Sequence, residues 1–362
     1  MKIGVLGGGQ LGRMMALAGY PLNLQLRFFD PASDATSGQV AELINAAYDD
    51  LDALERFVDG LDAVTYEFEN VPAHTAQFLE ESIKVFPSSA ALAVAQDRLV
   101  EKNFFQDLGF ETPRFVRVDN RDDLDNALGT LGYPAVLKTR REGYDGKGQA
   151  VIHTADDVDT TWEEHGAEGL ILEAFVPFDR ELSIVAVRGQ DGSVRTYPLV
   201  ENEHRDGILA RTIAPAPGLT DGLQEQAQAC IAAALNELDY VGVMAIELFE
   251  VEGRLLVNEM APRVHNSGHW TIEGAETSQF ENHLRAVAGL PLGSTECHGY
   301  AMMLNLIGSV PDPNDVLVTD GLHLHLYGKE PRPGRKLGHV TICAPDAATL
   351  ELRLGSFINT LH

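Results

Sequence analysis

Two apolar segments, Tyr240-Val241-Gly242-Val243-Met244-Ala245-Ile246-Glu247-Leu248-Phe249 and Leu255-Leu256-Val257, flank the turn Glu252-Gly253-Arg254. Apolar runs of this length on either side of a glycine turn predict a buried β-hairpin. Side chains alternate faces along a strand, so the loop length decides which residues meet. A three-residue loop centred on Gly253 sets Glu247 opposite Glu259; a two-residue loop would put them on opposite faces. The three-residue loop is the expectation, since it aims two carboxylates at one point. With Asn258 beside them they suit Mg2+, a hard cation that takes one or two carboxylates plus phosphate and water. An ordinary hairpin with acidic ends accounts for the two glutamates equally well. The residues beyond Glu259 weigh against a plain turn: Arg263-Val264-His265-Asn266-Ser267-Gly268-His269-Trp270-Thr271 packs a guanidinium, two imidazoles, an amide and hydroxyls into one short run.

The rest of the chain supplies a setting. Its 362 residues suggest two or three domains. No run approaches the roughly 18 apolar residues of a membrane helix. Met1-Lys2-Ile3-Gly4-Val5-Leu6 enters a strand without a signal-peptide pattern. Cys230, Cys297 and Cys343 lie far apart in apolar surroundings, as core thiols of a reducing cytoplasm do. A formal charge of -27 argues against nucleic acid, which needs a basic face. An anionic substrate would then need a local basic pocket.

Residues 3–6, 24–29 and 63–68 read as strands, 11–18 and 72–80 as helices, which is the alternation of a doubly wound α/β layer. The first turn, Gly7-Gly8-Gly9-Gln10-Leu11-Gly12, fits G-x-G-x-x-G, and Asp30 ends the next strand. That is the dinucleotide fingerprint, so a nicotinamide dehydrogenase competes. Glycines there also serve any phosphate at a helix N-terminus, or a tight turn alone. Residues 87–114 read as a linker helix whose charged face is Asp97-Arg98-Leu99-Val100-Glu101-Lys102, with Arg98 most simply a solvated helix residue. Ala135-Val136-Leu137-Lys138 is a strand running into Thr139-Arg140-Arg141-Glu142-Gly143-Tyr144-Asp145-Gly146-Lys147-Gly148-Gln149, a cationic glycine loop able to fold over phosphates, or else a long solvated hairpin. Residues 150–153 form a strand, 155–164 a helix, and 169–176 a strand whose end, Glu173-Ala174-Phe175-Val176, could pair with an adenine edge. From Arg180 the segments 181–187, 194–200 and 210–214 predict an antiparallel sheet, with a helix over 221–238. A helix at 281–285 precedes strands at 301–307 and 322–326; the histidines of the last alternate with apolar residues as in a half-buried strand. Lys329-Glu330-Pro331-Arg332-Pro333-Gly334-Arg335-Lys336 is the densest basic run of an acidic chain, either a solvated loop or a phosphate pocket.

A glycine-rich α/β start, a lysine strand with a glycine loop and a Glu…Asn-Glu hairpin together resemble the ATP-grasp ligases. Within them, Gly7-Gly8-Gly9-Gln10-Leu11-Gly12-Arg13-Met14, the run 143–149, the run 258–271 and Arg332-Pro333-Gly334-Arg335-Lys336 resemble the N5-carboxyaminoimidazole ribonucleotide synthetases of purine biosynthesis. These motifs span residues 7 to 336, and Arg263-Val264-His265-Asn266-Ser267-Gly268-His269-Trp270 is the most specific. Relatives often carry Arg where Lys147 stands. The resemblance implies an α/β and α+β protein: a Rossmann-like domain (1–97), an ATP-grasp lid (98–178), a large ATP-grasp subdomain with a metal site (179–300) and a small β-rich last domain (301–362). Little chain remains after Lys336, so that last domain is expected to lack an end segment seen in relatives.

The resemblance also implies a reaction. ATP phosphorylates bicarbonate to carboxyphosphate, and the exocyclic amine of 5-aminoimidazole ribonucleotide is then carboxylated. Mg2+ would sit on Glu247 and Glu259 beside Asn258. Arg98, Lys138 and Lys147 would hold phosphates under the loop Gly143, Tyr144, Asp145, Gly146, Lys147, Gly148 and Gln149. Glu173, Ala174, Phe175, Val176, Glu181 and His204 would surround the adenosine. Arg263, His265, Asn266 and Ser267 would cradle bicarbonate. The glycine turn is reassigned: Gln10, Leu11 and Glu69 would meet the ribonucleotide, Lys329, Arg335 and Lys336 its phosphate, and Tyr144 and Asp145 its aminoimidazole. A cytoplasmic homodimer without nucleic-acid or membrane partners is implied. A formate-using enzyme acting on glycinamide ribonucleotide is the near alternative; the dehydrogenase explains only the first thirty residues.

Overall fold

The computed structural model describes residues 1–143, 147–166 and 169–360. Strands β1 (Lys2–Leu6), β2 (Gln25–Asp30), β3 (Glu42–Asn45) and β4 (Ala63–Tyr66) form a parallel sheet in the order β3-β2-β1-β4. A parallel sheet must be covered on both faces, and here alternate residues divide. Phe29 and Leu6 pack with Leu54 and Phe57 of the helix Leu51–Val58. Phe28, Ile3 and Val5 pack with Met14 and Met15 of the helix Gln10–Gly19. The same second cluster takes in Phe280 and Leu284 of a helix at Gln279–Val287, so this layer is packed onto the rest of the chain.

Residues 87–114 carry two helices, Ser89–Ala95 and Arg98–Asp107, rather than one. The break falls where Asp97 turns its carboxylate onto the amides of Leu99 and Val100, at 3.0 and 3.5 Å, and caps the second helix. Strands β5 (Phe115–Val118), β6 (Ala135–Thr139), β7 (Gln149–Ile152) and β8 (Leu170–Ala174) then make a small antiparallel sheet ordered β5-β8-β6-β7. Leu137 and Leu172 face its core with Leu124 and Leu128. Alternation sends their neighbours Lys138 and Glu173 to the other face.

The largest sheet holds β9 (Arg180–Arg188), β10 (Val194–Thr196), β11 (Val200–Arg205), β12 (Ile208–Ala214), β13 (Gly242–Val251), β14 (Arg254–Ala261), β15 (Tyr300–Ile307), β16 (Leu322–Leu326) and β17 (Lys336–Ala344). Its order is β14-β13-β9-β11-β12-β15-β17-β16, with β10 on β9. Leu182, Ile184, Met244 and Ile246 pack on the helix Asp221–Glu237; Val185, Val243 and Ala245 face the helix Gln279–Val287. The expected single strand over 194–200 is two, because Pro198 has no N–H for a ladder. Lys336 begins a nine-residue strand, and a helix, Ala347–Thr360, follows it. Pairing of β12 with β15 joins the last strands to the large sheet.

The central hairpin reaches its expected pairing by another route. Val251 pairs with Arg254, so the loop has two residues, Glu252 and Gly253, at φ 50 and 76. Two left-handed residues are the requirement of a type I′ turn, which matches strand twist. Such a loop alone would set Glu247 against Asn258. A β-bulge corrects this: Leu248 pairs with Val257, yet Glu247 pairs with Glu259. Asn258 is the extra residue, and the bulge returns both carboxylates to one face.

Candidate active site

Helix Arg98–Asp107 lies along β14 and brings its charges inward. Arg98 donates to Glu259 Oε2 at 2.6 Å and to the Gly143 carbonyl at 3.4 Å. Glu101 and Lys102 are buried, whereas Val100 is 42% exposed. Arg98 is therefore not the solvated residue expected, and the charged face turns inward: Glu101 and Lys102 lie one turn before Phe105, a fully buried residue, and share its side of the helix. Lys102 Nζ lies 3.1 Å from the Asn258 carbonyl and 3.2 Å from Glu173 Oε1, and Lys138 Nζ donates to Glu173 Oε2 at 2.9 Å. Asp97 is held by Arg140 through two bonds of 3.0 and 2.6 Å. Sequence reasoning missed Glu101, Lys102 and the Asp97–Arg140 pair; the helical spacing to Phe105 was the available signal.

The two hairpin glutamates sit in different electrostatic surroundings. Burial pushes the Glu247 carboxyl up to about 7, helped by the negative charge of Glu259. Burial also acts on Glu259, but the Arg98 guanidinium outweighs it and lowers that carboxyl to about 2. At the bulge next to Glu259, Asn258 Oδ1 is buried with no hydrogen-bond partner. Among the described residues no group of three or more His, Cys, Asp or Glu side chains is arranged to hold a metal. Two carboxylates with one orphaned amide oxygen fit a hard cation whose shell is completed by phosphates and water.

The run after Glu259 closes back onto it. His265 Nε2 lies 3.5 Å from Glu247 Oε1. Its Nδ1 meets Ser267 Oγ at 2.8 Å and accepts the Ser267 N–H at 3.3 Å, so Nε2 carries the proton. Burial, then the nearby Arg263, lowers the imidazole to about 3, and Lys336 adds to the shift. His265 is therefore a neutral donor at neutral pH. Arg263 pairs through Nε with Glu69 and donates NH1 to the Val264 carbonyl at 2.9 Å. Asn266 and Asn305 exchange amide bonds of 3.1 and 2.7 Å. Gln279 fixes the His265 backbone from both sides, at 2.9 and 2.6 Å. Neither Asn305 nor Gln279 stands out in the sequence, since both are remote from the run.

A cleft is lined by Glu69, Arg98, Glu101, Gly143 and Glu259. A larger cavity of about 490 Å³, lined by Met1, Lys84, Gln190 and Ala288, lies away from them. Among the residues expected around the adenosine, His204 Nδ1 meets Glu181 Oε2 at 2.8 Å. The Ala174 and Phe175 amides already donate to the Arg114 and Pro134 carbonyls, at 2.8 and 3.3 Å. Gly148 stands at φ +71 beside Thr139, and Gln149 begins β7. Tyr144, Asp145 and Gly146 lie outside the described residues.

The glycine turn already holds an anion of its own. Glu67 accepts the Gly9 N–H at 2.5 Å and the Gly12 N–H at 2.8 Å, and Asp30 accepts that of Gly8 at 2.7 Å. A Cβ on Gly7 or Gly9 would stand 2.8 Å from the Glu67 side chain. The donors a pyrophosphate needs are thus taken by carboxylates, which removes the physical basis of the dehydrogenase reading. Gln10 is left to receive Lys329. The Leu11 side chain is in the core, so only its backbone can meet a ligand. Arg335 NH1 donates to the Glu330 carbonyl at 3.0 Å. Burial lowers Lys329, against the pull of Glu67.

Three family models match the chain: a ribonucleotide synthetase preATP-grasp domain over residues 1–96, an ATP-grasp domain over 103–280 and a phosphoribosylaminoimidazole carboxylase C-terminal domain over 301–353. The N5-carboxyaminoimidazole ribonucleotide synthase of Pseudomonas aeruginosa is 53% identical over 354 residues, covering 98% of each chain. The crystal structure of the Thermus thermophilus synthetase is similar at TM-score 0.96 and 56% identity, covering 99% of this chain and 98% of that one. An Aspergillus clavatus synthase in complex with ADP and 5-aminoimidazole ribonucleotide matches at TM-score 0.92 and 30% identity, over 99% and 98%.

Proposed function

The chain belongs to the N5-carboxyaminoimidazole ribonucleotide synthase family, and from that membership we infer that it carboxylates 5-aminoimidazole ribonucleotide at the expense of ATP, in purine biosynthesis. The observation that carries the residue-level reading is the position of Glu247. It pairs with Glu259 across the hairpin and lies 3.5 Å from His265 Nε2, so groups suited to phosphate transfer and groups suited to a small acid converge there.

Glu247, Glu259 and Asn258 would hold Mg2+, which when bound neutralises phosphate charge and keeps it in line for transfer. Arg98, Lys138 and Lys147 add positive charge along the ATP phosphates, with Glu173, Ala174, Phe175, Val176, Glu181 and His204 around the adenosine. Arg263, the His265 Nε2–H, Asn266 and Ser267 hold bicarbonate. One of its carboxylate oxygens attacks the γ-phosphorus, ADP leaves, and carboxyphosphate results, with the bicarbonate proton kept on its hydroxyl. Positioning and charge stabilisation are what such a step requires of a protein. The loop 143–149, with Tyr144 and Asp145, closes over the intermediate and excludes water. Gln10, Leu11 and Glu69 orient the ribonucleotide, and Lys329, Arg335 and Lys336 take its phosphate. Carboxyphosphate then breaks its C–O bond to phosphate, the exocyclic amine bonds the carbon of the CO2 released in the closed site, and the amine proton passes to the departing phosphate. We assign the carboxylating chemistry to residues 98–300, the ribonucleotide to residues 1–97 and 301–362, and the working form to a cytoplasmic homodimer, whose mass light scattering measures.

The test is ADP release in carbon-dioxide-depleted buffer, with each acid and each ribonucleotide restored in turn. Bicarbonate with the aminoimidazole ribonucleotide is expected to support release. Formate lacks the hydroxyl that the donors and acceptors around Arg263 and Asn266 would bond, and a site built for a hydroxyl rejects its absence. Turnover with formate and glycinamide ribonucleotide, and none with bicarbonate, would overturn the assignment. Separately, Lys329→Ala is expected to raise KM for the aminoimidazole ribonucleotide at least about tenfold, a charge-assisted bond being worth roughly 1.5–3 kcal/mol. The KM for ATP should hold. An equal rise in both would move Lys329 out of the ribonucleotide site.

A further inference from the structure

We propose that Glu101 and Lys102 are the positioning residues of the metal site, acting by fixing the β-bulge that carries Glu259; the inference rests on the assignment of the cation to Glu247 and Glu259. β14 is an edge strand of the large sheet. An edge presents N–H and C=O groups with no strand to pair them, and a bulge loosens the ladder on its other side as well. Without help, residues 257–260 would be the least constrained part of the hairpin.

The outer edge is gripped at three successive points by chain that precedes it. The Val257 N–H donates to the Glu111 carbonyl at 2.8 Å. The Asn258 carbonyl accepts from Lys102 Nζ at 3.1 Å, and the Met260 N–H donates to Glu101 Oε1 at 2.5 Å. Lys102 and Glu101 thus bracket the two peptide groups of Glu259, while Arg98, from the same helix, holds its carboxylate at 2.6 Å. If the bulge slipped, the two-residue loop would set Glu247 opposite Asn258, and the two carboxylates would part to opposite faces.

Both residues are buried and costly to keep so, which calls for a return beyond solvation. Lys102 also reaches Glu173 of β8, at 3.2 Å. One ammonium therefore ties the small sheet to the metal strand, and a shift of that sheet is felt at Asn258.

Mn2+ serves as a spectroscopic stand-in for the cation. Its dissociation constant is measured by the electron paramagnetic resonance of the free ion, on full-length protein saturated with ADP, with thermal melting recorded alongside. Glu101→Leu removes the acceptor for Met260 and should weaken Mn2+ binding about tenfold to a hundredfold, the usual cost of losing a group that orients a ligand. Glu101→Gln keeps an oxygen for the Met260 N–H and should restore most of the affinity. Lys102→Met should weaken binding and Lys102→Arg should not, which decides the matter if the leucine variant fails to fold. Unchanged affinity in a folded Glu101→Leu or Lys102→Met protein overturns the proposal, and so does a glutamine variant as weak as the leucine one. Unchanged affinity in Glu247→Gln and Glu259→Gln would instead remove the metal assignment itself.

Discussion

Turnover of Glu259→Gln is expected to fall about a thousandfold or more, on the order of 4 kcal/mol of lost transition-state stabilisation. Glu259 is one of two carboxylates that meet across the hairpin. Of the two it is the one held ionised, because Arg98 lies 2.6 Å away. Glutamine keeps the shape and can still accept from Arg98, but it removes the formal charge. The fold should survive, since glutamine is isosteric with glutamate and the backbone around Glu259 is held by Glu101 and Lys102. The measurement is kcat at saturating ATP, bicarbonate and ribonucleotide over a range of Mg2+ concentrations, with melting as the control. A loss that persists at high Mg2+ is a loss in the transition state; one that Mg2+ restores is a loss of binding alone. Wild-type kcat throughout would take Glu259 out of the phosphate-transfer centre.

The sequence made some of this centre legible and concealed the rest for definite reasons. Glu247 and Glu259 were readable as partners because period-two alternation is rigid once a hairpin is granted. The loop length behind that reading was wrong: a tight Glu252-Gly253 turn and a bulge at Asn258 produce the same pairing. A bulge is decided by what grips the strand edge, and those grips come from residues about 150 positions earlier. Arg98 was visible as a family position, yet its neighbours Glu101 and Lys102 read only as part of a charged face, since charged residues are seldom buried. Each is buried here with a bonded partner. The glycine turn misled in the opposite direction. Its spacing fits a dinucleotide, but Glu67 occupies the amides from a strand end some 55 residues away. Spacing shows that backbone donors exist, not what fills them. One expected strand broke at Pro198, which has no N–H for a ladder, and one expected helix broke at the Asp97 cap. The basic run joined the site through Lys329 and Gln10, a contact between chain ends that no local pattern carries.

Arg263→Lys is expected to lower kcat by about a hundredfold to a thousandfold, the range seen when a donor to developing charge is removed. Two of the Arg263 donors are already committed, Nε to Glu69 and NH1 to the Val264 carbonyl. The remaining edge of the planar fork is what can meet two oxygens of bicarbonate at once. An ammonium keeps the charge but cannot hold Glu69, a carbonyl and an anion in one plane. The substitution should therefore damage two substrates together: the KM for bicarbonate rises because its donor is misplaced, and that for the ribonucleotide rises because Glu69 loses its anchor. Adenine nucleotide binding, measured as ADP affinity in the absence of the other substrates, should not move. This pattern differs from the ribonucleotide-only effect of Lys329→Ala and from the metal effect of Glu259→Gln. A rise in the ribonucleotide KM alone would reduce Arg263 to a support for Glu69. Bicarbonate would then have to be held by Asn266, Ser267 and the His265 Nε2–H, and the small-acid pocket would lie closer to Glu247 than to the glycine turn.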